Sequence, residues 1–376
     1  MEVVLNDMHK FVKDPLQPLN SRGTGITNPE LRELHTSLVK LGTLLQLAYG
    51  EAGAKVISAS LKNAQVKPDV GKIVNAFFGF CDIRNFTDLT EVLQAEVVKM
   101  VNMIAAVVHE EVCANHGAPN KNIGDAFLLV WKPRQKPGAS EVADASLKSY
   151  IKIIIELSRN KELKKWGLHP DIQYRLPNYR VKLGFGLHYG WAIEGAIGSK
   201  RKIDASYLSP HVNMAARLES ATKMYGTQIL ISGPTFGLFS ASVRRLCRHI
   251  DRVTVKGSTQ PMDLYTFDVP EIQSYGGKLE DQVNLDLENE AFFEKIHPET
   301  SNEYRTRWAK IMSFYLGGTQ GKKADWTKCR SLLLQCLEQW PSDGPAKAIL
   351  KVLDSTADEH GFAPEDWAGY RSLSEK

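Results

Sequence analysis

Apolar and polar positions change period several times along this chain, and each change marks an element. Leu31, Leu34, Leu38, Leu41, Leu45 and Ala48 recur at alternating steps of three and four, the seam of a heptad helix. Asn28, Pro29 and Glu30 in front of it are a cap, a first-turn proline and a first-turn acid. The seam is short, so it fits a helix packed on its own domain as well as a dimer seam. A second helical piece is expected from Gly53 to Leu61, ended by Lys67-Pro68-Asp69. Phe77, Phe78 and Phe80 then form an apolar, strand-like run into Asp82, and Val97, Val101, Ile104, Ala105 and Val108 share one helical face. A second run, Phe127 to Val130, follows Asp125 directly.

Further on, a helix is expected from Glu141 to about Asn160, with Ala143, Ala145, Leu147, Ile151, Ile154 and Ile155 mostly inward. Val181–His188 alternates as a strand, and Gly190, Gly195, Gly198 and Ser199 predict a tight hairpin after it. Asp204–Leu208 reads as a strand, and Val212–Tyr225 as a helix with Met214, Ala215, Leu218 and Ala221 inward. Gln228–Ser232 is a strand, and Val253–Val255 with Leu264–Phe267 a final hairpin. Helices are expected again near Asn302–Tyr315, Asp325–Gln339 and Gly344–Asp354. Their aromatic spacing, with Tyr315, Trp326, Cys336 and Pro341, resembles a tetratricopeptide-like helix pair, although an array needs about three units.

This gives an α+β reading in four parts: an irregular arm at 1–27, a signalling-type N-terminal helix at 28–66, a mixed catalytic domain at 71–270, and a linker with a helical, tetratricopeptide-like tail at 278–376. The tail fits packing on the catalytic domain or on a protein partner. Composition narrows the classes. Basic and acidic residues are interspersed at a net +4 with no Lys/Arg block, which argues against nucleic acid as partner. The amino terminus lacks the charged and apolar regions of a signal peptide. Five scattered cysteines with no CxxC fit a reduced compartment. The expected location is cytoplasmic, alone or as the cytosolic part of a larger or membrane-associated assembly.

The candidate chemistry begins with Asp82 and Asp125. A strand, a long helix and a hairpin would bring both carboxylates to one sheet edge. Two such acids suit hard cations, since Mg2+ needs only a few protein oxygens beside substrate phosphates. In two-metal sites, ions about 3.5–4 Å apart stabilise the entering and leaving oxygens of an in-line displacement.

Four blocks carry a resemblance: FCDIRNFT, KNIGDAFLLVW, VNMAARLE at Val212–Glu219 and VTVKG at Val253–Gly257. In this order and approximate spacing they resemble the class III nucleotide cyclase catalytic domain, over about Gly71 to Asp268. The resemblance implies a ferredoxin-like α+β fold. It also implies two Mg2+ or Mn2+ ions held by Asp82, Asp125 and the Ile83 carbonyl. Phe86 and Thr87 open a helix whose amides could hold phosphate oxygens. The family's usual glycine before that Phe is Asn85 here.

By the same resemblance, Lys121 and Ser206 meet the purine. A lysine donates to adenine N1, whereas guanine N1 carries a hydrogen and wants an acceptor. Lys121 therefore favours ATP; Ser206, which donates and accepts, leaves guanylate or mixed specificity open. Asn213 and Arg217 lie four apart on one helix face. In the family the asparagine orients the ribose, and the arginine's fork of donors meets phosphate charge in the transition state. Lys256 would hold the β/γ-phosphates. Ser209-Pro210-His211 replaces the family's frequent Gly-Asp-Thr, so the loop into the Asn213 helix is built differently, and His211 is read as structural. Family sites are shared across a dimer, one chain giving the acids and the other the purine and transition-state residues. This chain has both sets, which favours a homodimeric adenylate cyclase. The alternatives are a guanylate or mixed-specificity cyclase, or a regulatory half or scaffold in a heterodimer with another cyclase chain.

Overall fold

The computed structural model describes residues 5–6, 9–10, 28–44, 71–199, 202–255, 260–269, 301–317 and 324–373. The helical piece expected at 53–61, the break at 67–69 and Lys256 lie outside the described residues, as does the linker from 278 to 300. Helix α1 covers residues 29–44, and the Asn28 side chain caps it by accepting from the Glu30 amide at 2.8 Å. On its expected seam, Leu34 and Leu41 are each about half exposed.

The central region opens with β1 (Lys72–Ile83), α2 (Phe86–Leu93) and α3 (Val97–Ala114). The hairpin β2 (Ala118–Ile123) and β3 (Ala126–Trp131) follows, then α4 (Ala139–Arg159), α5 (Lys161–Trp166) and α6 (Pro170–Arg175). Next come β4 (Leu183–Ser199), β5 (Lys202–Leu208), α7 (Pro210–Tyr225), β6 (Ile229–Ser232), α8 (Gly233–Phe236), α9 (Ala241–Leu246), β7 (Cys247–Val255) and β8 (Met262–Phe267). The tail supplies α10 (Asn302–Leu316), α11 (Trp326–Gln339), α12 (Gly344–Thr356) and β9 (Arg371–Leu373). Among the described residues nine strands form one sheet, ordered β2-β3-β1-β4-β6-β8-β7-β9, with β5 paired to β4.

Side chains alternate across the sheet, as the pleat requires. Phe77, Leu129 and Ile231 join a core with α3 and α4 on one face, while Phe78, Leu128 and Leu230 point to the other. The segment Phe86–Ala114 has the length and apolar content of a membrane-crossing helix. A short 3-10 turn at Gln94–Glu96 interrupts it, and Met100, Ile104, Val108 and Val112 are fully buried, so it serves as core.

The tight hairpin expected after Val181–His188 forms between β4 and β5, with Ser199 opposite Lys202, but its reversal lies beyond Gly190 and Gly195. β4 runs straight through those glycines, paired with β1 as far as Glu194 and with β5 from Ile193 onward. Each glycine keeps a ladder partner, Gly190 opposite Ala76 of β1 and Gly195 and Gly198 opposite Ser206 and Ile203 of β5, and the reversal falls after Ser199. Of the two placements open for the tail, the structure shows packing on the catalytic domain. Tyr304, Trp308, Tyr315 and Trp326 share a buried cluster with Leu230, Ile250, Val253 and Leu264 of the sheet. β9 adds to the sheet beside β7 in parallel. The aromatic spacing is thus accounted for by contact with the sheet, without invoking a repeat.

Two buried ion networks fix this docking. Arg248 on β7 makes a bidentate pair with Asp343 at 2.7 and 3.1 Å and also meets Asp268 at 2.7 Å. The indole of Trp308 lies 4.4 Å from its guanidinium. Asp251, fully buried, accepts from Tyr225 at 2.7 Å and from Arg371 of β9 at 2.8 Å.

Candidate active site

The two acids meet where β1 ends beside the β2–β3 turn. Asp82 lies opposite Ala126 in the β1–β3 register, and the Ile83 amide donates to the Asp125 carbonyl at 3.2 Å. A two-residue turn, Gly124-Asp125, joins β2 to β3, and Gly124 has φ +64°, a left-handed conformation that glycine adopts without strain. Asp125 is thereby set beside the end of β1 by backbone on both sides. The carboxyl of Asp82 is raised above its ordinary value, first by burial and next by the negative charge of Asp125, with Lys223 and Arg84 opposing. Two acids that repel each other at a half-buried position fit a divalent cation, which would relieve both effects. Among the described residues no cluster of three or more His, Cys, Asp or Glu forms an all-protein metal cage. The donor set therefore suits an ion that takes its remaining oxygens from substrate and water.

Asn85, where the resemblance implies a glycine, sits at φ +59° as the cap residue of α2. Asparagine is among the few side chains that tolerate this region. Phe86 packs on the core from the first turn of α2, and Thr87 is exposed beside it.

Helix α7 carries the second set. Ala215, Leu218, Glu219, Thr222 and Tyr225 face inward, leaving Asn213 exposed and Arg217 half-buried on the outer side. Gly186 on β4 allows this packing, since a Cβ there would lie 2.1 Å from the Ala215 carbonyl oxygen. Ser209 caps α7 by accepting from the His211 amide at 3.0 Å, and Pro210 occupies the first turn. The substituted loop is thus a regular helix start. The cations that act most on Asp82 are Lys223 and Arg84, and Arg217 is not among them.

Lys121 on β2 reaches across to β5, its Nζ 3.9 Å from Asp204. Ser206 is two residues further along β5, on the same side of the strand. The two positions that the resemblance implies meet the purine therefore lie near each other within one chain. Asp204 is a third member of this group that the sequence reading missed; its only signal was the alternation along β5. Strand β7 ends at Val255, immediately before Lys256.

Two further networks support these elements. Arg84 follows the acid loop, and its guanidinium pairs with Glu219 at 2.7 Å and contacts the Thr222 hydroxyl. It ties the end of β1 to the inner face of α7. Buried Glu219 was not foreseen, because an acid on a helix reads as surface. At the start of α7, His211 Nδ1 lies 2.8 Å from His188 Nε2, and His188 Nδ1 lies 2.8 Å from the Ser232 hydroxyl. Burial, and next the proximity of His211, lowers His188 from 6.5 to about 3.

His188 is therefore neutral in the folded chain and charged in the unfolded chain below about pH 6.5. The unfolded state binds the extra proton, so stability falls as pH drops through that value. The expected loss from this group is about 2 kcal/mol at pH 5. Chemical denaturation of wild type and His188→Gln at about pH 7.5 and 5 measures it. A shallower acid slope in the variant is expected; parallel slopes would contradict the assignment.

Comparison with known proteins places this geometry in a family. The model of the adenylate and guanylate cyclase catalytic domain matches residues 72–268. The chain belongs to that family. A model of the RasGEF all-helical domain matches residues 1–62, most of which lie outside the described residues. An adenylate cyclase of Anabaena cylindrica is 29% identical over 188 residues, 50% of this chain and 35% of the relative. A terminal-differentiation-specific adenylate cyclase of Dictyostelium discoideum is 26% identical over 212 residues, 56% of this chain and 9% of the relative. The chain thus spans about a third or less of these curated relatives. The solved structure of a bacterial light-regulated adenylyl cyclase aligns over 66% of both chains with a TM-score of 0.50 and 23% identity, a likeness of fold.

Proposed function

We propose that this chain is an adenylate cyclase that converts ATP to cyclic AMP and pyrophosphate, with each active site shared between two copies. The carrying observation is the orientation of α7: Asp82 and Asp125 repel each other at the end of β1, while Asn213 and Arg217 lie on the outer side of α7, off the face it packs on the sheet. A second copy presenting its α7 to the acids would complete the site. The named relatives support adenylate as the product class.

In this reading Asp82, Asp125 and the Ile83 carbonyl would hold two Mg2+ or Mn2+ ions, which would supply Lewis-acid activation of the 3′-oxygen and charge neutralisation at the phosphates. Lys121 donates to adenine N1, and Ser206 meets the exocyclic amine. Asn213 orients the ribose so that the 3′-oxygen lies in line with the α-phosphorus. Arg217 meets the charge that develops as pyrophosphate leaves, with Lys256 on the β/γ-phosphates. Phe86 and Thr87 place the α2 amides near the phosphates. Positioning and preorganised charge supply most of the rate.

The test is a paired assay of the purified chain with ATP and GTP, each with Mg2+ or Mn2+. Cyclic AMP formation with kcat/KM at least about tenfold above that for GTP is expected, a difference of about 1.4 kcal/mol. Preference for GTP would transfer the reading to a guanylate cyclase. No product from either nucleotide would favour a regulatory or scaffold half that pairs with another cyclase chain.

A further inference from the structure

The histidine pair at the start of α7 has no part in the chemistry assigned above. Its two rings lie nearly parallel, with centroids 5.1 Å apart and planes 19° from each other. The bond between His211 Nδ1 and His188 Nε2 continues from His188 Nδ1 to the Ser232 hydroxyl, and from there to the Thr235 hydroxyl at 3.0 Å. One end of this chain of bonds is the first turn of α7. The other is the junction of β6 and α8, where Ser232 and Thr235 are fully buried.

The neighbouring backbone makes room for the pair. A Cβ at Gly190 would lie 2.3 Å from His211 Cγ, so a larger residue there displaces the ring. The Trp191 indole meets the His211 ring edge-on, centroids 5.8 Å apart, and the Trp191 carbonyl accepts from Ser209, the cap of α7, at 2.5 Å. Two side chains, Ser209 and His211, thus fasten the first turn of α7 to β4. The groups in contact with the pair, Ser232, Thr235, Trp191 and Ser209, carry no charge. Burial lowers both histidines below their ordinary value, so both rings are neutral at pH 7. A neutral imidazole donates through one nitrogen and accepts through the other, which is the pairing two facing ring nitrogens need.

We infer that His211 is a positioning residue for the cyclase reaction: its bond to His188 sets the first turn of α7, and with it the Asn213 side chain that orients the ribose. Asn213 stands two residues further on and is exposed. The fully buried residues of α7 begin at Ala215, and Val212 is only partly buried. The turn that carries Asn213 therefore depends on the bonds at its start. This inference rests on the adenylate cyclase reading. It also gives a function to the Ser209-Pro210-His211 loop, in which the serine caps the helix and the histidine anchors it.

The experiment is steady-state kinetics of cyclic AMP formation by the full chain at about pH 7.5, for wild type, His211→Ala, His211→Asn and Gly190→Ala. His211→Ala should lower kcat at least about tenfold and change KM for ATP by less than about threefold, since no group proposed to hold purine or phosphate is touched. His211→Asn places an amide where Nδ1 stood and should recover at least about a third of the wild-type kcat. Gly190→Ala keeps the histidine but displaces its ring, and should lose kcat as His211→Ala does; Gly190 has no positive φ, so alanine strains only that contact. Both positions are half-buried, and wild-type-like melting curves would show that the fold is kept. Wild-type kcat in His211→Ala overturns the inference and leaves the cyclase reading standing. So does a loss that falls mainly on KM, or one that His211→Asn fails to recover. An inactive wild type removes the cyclase reading, and the inference with it.

Discussion

Asp125→Ala is expected to lower cyclic nucleotide formation by roughly a thousandfold or more, the scale on which losing a metal-centred or oxyanion-stabilising contact acts. The cause is specific. Asp125 lies in the two-residue turn between β2 and β3, and its charge is the second-largest influence raising the Asp82 carboxyl. Without it, Asp82 loses the repulsion that a cation would relieve, and one oxygen ligand is gone. The turn conformation depends on Gly124 and on the Asp125 backbone carbonyl, neither of which the substitution alters. The fold should therefore survive, which circular dichroism and a melting curve would confirm. Mn2+ gives an independent readout: an ion that binds the folded state alone raises its stability by mass action. Mn2+ should raise the melting temperature of wild type and leave Asp125→Ala unmoved. An active variant, or one still stabilised by Mn2+, would remove this pair from the metal site.

Asp343→Ala is expected to have the largest effect on stability, a loss of about 3–5 kcal/mol, the range for breaking a buried ion pair from one side. Asp343 is fully buried, holds both terminal nitrogens of Arg248, accepts from Tyr304 and caps α12 through the Ala346 amide at 3.3 Å. Alanine leaves the Arg248 charge enclosed among Tyr304, Trp308 and Trp340 with only Asp268 as partner. Asp343→Asn keeps the shape and the cap but removes the charge, so a smaller loss is expected. Urea denaturation of the three proteins gives the comparison. A loss below about 1 kcal/mol for the alanine variant would show that the tail is held by its apolar contacts alone.

Much of the fold was legible because the hydrophobic period changes cleanly between elements. The strands around Asp82 and Asp125, the inward face of α3 and the helix of Asn213 and Arg217 follow from spacing and from the quoted motifs. What was not legible has identifiable causes. Gly190 and Gly195 read as turn residues, yet both lie inside β4, opposite Ala76 of β1 and Ser206 of β5, and the turn comes only after Ser199. β9 is three residues long and becomes a strand only because β7 offers a free edge, which no local pattern encodes. Nothing local marks Glu219 and Asp343 as buried; each is buried beside an arginine distant in sequence, Arg84 or Arg248. Asp204 beside Lys121 was likewise a contact between remote strands. The residues carrying chemistry lay in recognisable motifs, whereas the charges that hold those motifs in place were set by tertiary structure.

The most direct measurement mixes two inactive chains, Asp82→Ala and Asn213→Ala, and assays cyclic AMP from ATP. A mixed dimer of these chains has one site with both defects and one with none. Random pairing of a symmetric dimer should therefore restore roughly a quarter of wild-type activity. Each chain alone should stay inactive. Recovery near that level is the expected result; no recovery in a sample where native mass spectrometry confirms the mixed dimer would contradict a site built from two copies.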